Sequence, residues 1–105
     1  MRAIKISELE AVIARINRET GNPVEPFTVT AGRSVANIGN YYLSQQYGGC
    51  AMHRMMNESG GAIDVFNFGH VPRRVLYHSL FAYIAELEAG RAPRALDQQD
   101  AQAEA

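Results

Sequence analysis

Soft ligands and nucleophiles are few in this chain: Cys50, His53, His70 and His78. Cys50-x-x-His53 has a spacing that metal sites use. In a regular strand, however, residues three apart point to opposite faces, and a structural zinc site gathers four ligands. A Cys–His nucleophile pair fails on the same geometry, with no orienting third residue or oxyanion donor identifiable. The plainer reading is a part-buried thiol beside surface or satisfied histidines. The carboxylates form no acid–base pair. Glu8 and Glu10 begin a helix, where negative charge favours the dipole. Glu86 and Glu88 belong to a helix whose exposed side needs charge, and Asp64 is a lone acid in a strand. The expectation is therefore no catalytic residue, no metal, no cofactor and no enzymatic activity.

Binding chemistry is better represented. Arg73 and Arg74 fall in the first turn of a predicted helix, just after His70 and Pro72. Cations there oppose the helix dipole, while free N–H groups at that end favour an anion. Two arginines, a histidine and a helix N-terminus can together hold a phosphate or a partner's carboxylate. The plainer alternative is that the arginines are solvated, or pair with Asp64, Glu58 or the tail. Tyr41 and Tyr42 are adjacent on a predicted strand, so they face opposite sides of a sheet. Tyrosines on an open sheet can stack bases; otherwise they pack across strands. Met52, Met55 and Met56 are either core or an adaptable binding surface. The candidate partner- or anion-binding residues are His70, Arg73, Arg74, Tyr41 and Tyr42.

The elements that must position these residues are legible. ISELEAVIARINRETGNP places Leu9, Val12, Ile13 and Ile16 on one helical face. Ser7 and Glu10 have capping-box spacing, and Gly21 with Pro23 ends the helix, so the predicted helix covers about residues 8–20. Phe27–Thr30 alternates as a strand, Ala31-Gly32-Arg33 reads as a turn, and Ser34–Ile38 as a short return. In YYLSQQYGGCAMHRMMNESGGAIDVF, Gly48-Gly49 and the turn 57–61 separate three runs of strand character. Neither glycine pair leads into a lysine and a helix, as a phosphate-binding loop would require. Pro72 suits a first helical position. Val75, Leu76, Leu80, Tyr83, Ile84 and Leu87 then make an apolar stripe that ends at Gly90.

The order is helix, three to five antiparallel strands, helix. That is an α+β two-layer domain with both helices packed on one side of a curled meander. Residues 1–91 form one domain, and residues 92–105, polar and small, are expected to be a disordered tail. The 105 residues suffice for one core. Hydrophobic residues make up 47% and charged residues 20%, which marks an ordinary globular chain rather than a disordered one. A net charge of −1 removes the chain-wide basic field of a general nucleic-acid or membrane binder. One cysteine allows no intrachain disulfide, and the N-terminus has no apolar leader. A soluble, reducing compartment follows as the expectation.

The segments NIGNYYLSQQYGG, HRMMNESGGAIDVF and GHVPRRVLY resemble the Y-G-G, G-G and basic-helix pattern of small uncharacterised bacteriophage and prophage proteins, over about residues 37–90. The resemblance implies an accessory protein in a bacterial host cytoplasm and brings no functional residue with it. Element order alone resembles the double-stranded-RNA-binding domain, in which basic residues at the second helix meet phosphates. Arg73 and Arg74 stand at that place, without the family's lysine-rich signature. The function expected is a non-enzymatic binding module acting through a macromolecular partner, protein before nucleic acid, with homodimerisation open. The alternative is nucleic-acid binding through the basic helix end and the sheet tyrosines.

Overall fold

The computed structural model describes residues 3–90, so the predicted tail lies outside the described residues. The elements are α1 (Ile6–Thr20), β1 (Phe27–Thr30), β2 (Arg33–Ala36), β3 (Tyr41–Gln46), β4 (Gly49–Met55), β5 (Ala62–Asp64) and α2 (Arg73–Glu88). This is the expected α+β order, with one refinement: the strands form two antiparallel sheets, β1-β2 and β3-β4-β5. Among the described residues, no helix is long and apolar enough to cross a membrane.

α1 starts earlier than its sequence suggests. Lys5 is the N-cap, and its N–H donates to Glu8 Oε2 at 2.8 Å, replacing the Ser7–Glu10 pair expected. The same three-residue spacing simply operates about half a turn upstream, which brings Ile6 against the core. At the other end Gly21 takes the left-handed conformation, φ 75°. Its N–H reaches Arg18 C=O and the next N–H reaches Asn17 C=O, closing the helix as predicted.

Two faces of the three-stranded sheet follow from register. Tyr41 pairs with Arg54, Leu43 with Met52 and Gln45 with Cys50. This face meets the helices: Tyr41, Cys50 and Met52 are buried with Ile4, Leu9, Ile13 and Ile16, and with Leu76, Leu80, Ile84 and Leu87 of α2. α1 lies along β3, α2 along β4, and the two helices touch each other. Arg54 is fully covered on the same face, its guanidinium 4.8 Å from the Tyr41 ring centroid and its Nε–H donating to Gly39 C=O. The opposite face carries Tyr42 against His53, Ser44 against Ala51 and Gln46 against Gly49, with Asp64 of β5 beyond His53.

The β3–β4 turn is Tyr47-Gly48, φ 55° and 75°, and not the expected Gly48-Gly49 pair. Gly49 is the first residue of β4, needed there for a different reason. A Cβ on it would stand 3.0 Å from His70 C and 3.1 Å from Val71 N. That close approach lets Val71 extend the sheet edge, with Cys50 N–H on Val71 C=O at 2.8 Å and Val71 N–H on Cys50 C=O at 2.9 Å. The final helix is thereby delivered at a fixed point. Pro72 is its N-cap, one position before the first helical residue.

Candidate functional site

Four rings run in a row across the helix-free face of the sheet. The Tyr42 and His53 centroids are 5.7 Å apart. Those of His53 and His70 are 5.6 Å apart, and those of His70 and Tyr47 6.3 Å. Each pair meets edge-to-face, an arrangement that aromatic quadrupoles favour. Three sources supply the first three rings: β3 gives Tyr42, β4 gives His53 by direct cross-strand pairing, and the Cys50–Val71 bridge brings His70 alongside. Ser44 sits within the row and its Oγ is 2.8 Å from His70 Nε2.

Tyr47 ends the row and is 96% exposed in a left-handed backbone conformation. Glycine or asparagine is easier in that conformation than a tyrosine. Its ring meets the fold edge-to-face at His70.

Burial lowers the His53 pKa from its ordinary value, and His70 adds to the drop while the Asp64 carboxylate opposes it. Burial raises Tyr42. Asp64 does not hold the imidazoles directly, because its oxygens accept N–H groups of Asn67 and Gly69 at 3.2 and 2.8 Å. Arg54 is the one lysine or arginine in β3, β4 and β5, and it is buried on the other face.

Ser44 and His70 resemble the first two members of an acyl-transfer triad. Such chemistry also needs an acceptor that orients the imidazole and donors for the oxyanion. The bond ties the β3 strand to the segment leading into α2. Among the described residues, no three His, Cys, Asp or Glu side chains converge as a metal site would require. Cys50 and His53 do fall on opposite faces: Cys50 is buried, its thiol raised in pKa by burial and drawn down in part by Arg73.

The five residues singled out in the sequence do not make one site. Tyr41 is 1% exposed, with its hydroxyl 2.7 Å from that of Tyr83, and burial pushes its phenol far above the usual range. It belongs to the core and reaches no partner. Tyr42 and His70 join the ring row. Arg73 turns to the helix side, where NH1 donates to Ile4 C=O at 3.0 Å, and Arg74 is half-buried. The expected anion cradle of His70, Arg73 and Arg74 is therefore divided between two surfaces. His53, Ser44 and Tyr47 complete the ring row instead. The sequence signal for Tyr47 is its place just before Gly48, at the tip of a hairpin where no core can cover it.

Comparison with protein-family models, with curated proteins and with solved structures finds no match to this chain.

Proposed function

We propose that this protein is a non-enzymatic binding module of phage or prophage accessory type, working in a bacterial host cytoplasm through a protein partner. The observation that carries this reading is the Tyr42–His53–His70–Tyr47 row on a sheet face that no helix covers. Tyrosine offers large, stiff contact area with a polar tip, which suits it to protein interfaces. Tyr47, held in an unfavourable conformation and almost wholly exposed, is the anchor of the surface.

The same face argues against nucleic acid as the partner. Phosphate binding draws on lysine and arginine, and this face presents a carboxylate and two imidazoles, one of them held neutral by burial. The test is capture from bacterial lysate, with and without nuclease, by the wild type and by Tyr47→Gly. The substitution relieves backbone strain, so folding is preserved. A protein retained after nuclease treatment and lost in Tyr47→Gly supports the reading. Capture that vanishes with nuclease transfers the function to nucleic acid, and capture unaffected by Tyr47→Gly removes the ring row as the interface.

A further inference from the structure

The sheet edges differ in how they are closed. β3 lies against α1, and the Asn17 amide takes both main-chain groups of Tyr41 as a neighbouring strand would, N–H to Oδ1 at 2.8 Å and Nδ2–H to C=O at 2.9 Å. The outer edge of β2 meets Glu58, whose C=O accepts the Ala36 N–H at 3.2 Å. β1 has β2 on one side and, among the described residues, no strand on the other. All four of its residues are exposed, and neither helix lies along the hairpin. A hairpin of two strands alone is marginally stable in water.

What β1 offers at its open edge follows from register. Thr30 pairs with Arg33 around Ala31-Gly32, which have φ 52° and 78°, as tight hairpins require. Pro26 C=O accepts the Asn37 N–H at 2.9 Å, while the Ala36 N–H leaves the hairpin for Glu58. Antiparallel partners alternate between hydrogen-bonded and non-hydrogen-bonded pairs. Pro26, Thr28 and Thr30 therefore direct their main-chain polar groups at β2, and Phe27 and Val29 turn theirs outward. Among the described residues no hydrogen bond meets those outward groups. Phe27 and Val29 also share one side-chain face and are 47% and 73% exposed. Exposed edges are usually blunted by proline, charge or a bulge. Here Pro26 stands at an inward position, where it removes no outward donor, and residues 26–32 carry no ionisable group.

We infer that two copies of this protein pair through β1, antiparallel, across a two-fold axis at Thr28. In this register Phe27 of one copy and Val29 of the other exchange N–H and C=O, and symmetry repeats the exchange on the far side of the axis. The phenylalanines and valines of both copies gather on one face, and the two Thr28 residues meet on the other. The hairpins become one four-stranded sheet. A second copy is the occupant because the edge is its own complement. Two outward residues separated by one inward residue match themselves on rotation, and an uncharged stretch spares identical chains the repulsion of like charges directly opposite. The antiparallel arrangement also sets the Glu25 end of each arm toward the Arg33 end of the other, acid toward base. With four residues a side the contact is far smaller than the roughly 800 Å² per partner of a stable interface. The dimer is accordingly weak and concentration-dependent. It uses a surface separate from the ring row, so either reading can fail alone.

The test uses the full chain. Sedimentation equilibrium from micromolar to millimolar protein is expected to show a reversible monomer–dimer equilibrium. A sample mixed from isotope-labelled and unlabelled chains gives an intermolecular NOE between Thr28 Hα protons, because a non-hydrogen-bonded pair brings its Cα atoms to about 4.5 Å. This measurement needs no variant. The same spacing suits a disulfide, so Thr28→Cys crosslinks to itself under mild oxidation. Thr30→Cys, whose neighbour in this register is Pro26, crosslinks about tenfold less or below. The native Cys50 is buried and does not compete. Val29→Lys, at the most exposed position of β1, sets like charges beside the axis and weakens the dimer by about tenfold or more. The inference is overturned by a chain that stays monomeric at millimolar concentration, or by Thr30→Cys crosslinking as readily as Thr28→Cys. A dimer that Val29→Lys leaves intact and Tyr47→Gly disperses also overturns it, since the ring row is then the contact between copies.

Discussion

Replacing Asn17 with leucine tests how the buried edge of β3 is held. Asn17 and Tyr41 are each 1% exposed, and two hydrogen bonds of 2.8 and 2.9 Å join the amide to the Tyr41 main chain. Leucine keeps the branching of the side chain and removes both polar atoms. The Tyr41 N–H and C=O are then buried without partners, and the bulkier side chain leaves no room for water to substitute. Each orphaned group costs about 1–3 kcal/mol, so the variant loses roughly 2–5 kcal/mol, allowing for partial relaxation. Against a usual domain stability of about 5–15 kcal/mol that is a large share. In thermal unfolding it lowers Tm by roughly 10–30 °C. Asn17→Asp separates the two bonds. Its carboxylate still accepts the Tyr41 N–H but faces the Tyr41 C=O with no proton to donate. Protonation restores that donor, so the folded-state pKa of the new carboxyl lies above its unfolded value of about 3.9. Its deficit relative to wild type is therefore smallest at low pH and grows as pH rises through that window. Urea unfolding of both variants between acid and neutral pH reads these differences. An Asn17→Leu midpoint equal to wild type, or an Asn17→Asp deficit independent of pH, would refute the account of Asn17 as a substitute strand residue.

Two further outcomes follow from the geometry. Gly49→Ala forces a Cβ against the His70 and Val71 backbone at 3.0 and 3.1 Å. The overpacking costs about 1–3 kcal/mol; hydrogen exchange at Cys50 and Val71 accelerates with it, and unchanged protection of both amides would show that the approach is not tight. His53 has a folded-state pKa depressed first by burial, with Asp64, His70 and Tyr42 as its neighbours. The unfolded chain then binds that proton more tightly, so stability is full above the unfolded pKa of about 6.5 and declines as pH falls below it. His53→Gln flattens this acid limb in urea midpoints measured against pH, and an identical pH profile counts against a desolvated imidazole.

Periodicity made both helices and the strand runs legible in the sequence. Leu9, Ile13 and Ile16 repeat at helical spacing because one face must be buried, and Leu76, Leu80, Ile84 and Leu87 do so for the same reason. Alternation in YYLSQQ likewise settled that Tyr41 and Tyr42 part to opposite faces, and separated Cys50 from His53, but not which tyrosine the helices would cover. Register was harder to read. With Gly48-Gly49 as the turn, Ser44 would lie opposite His53; with Tyr47-Gly48 it is Tyr42 that does. The close passage of His70 and Val71 over Gly49 decides between them, and that contact joins segments far apart in the chain. The sequence by itself thus determined which residues prefer helix, strand and turn, since those preferences act through near neighbours. Only the tertiary structure decided that His70 joins Tyr42 and His53, that Arg73 turns away to Ile4, and that Asn17 stands in for a strand beside Tyr41. Each of these depends on satisfying buried backbone groups and filling space between elements distant in sequence, which no local pattern encodes.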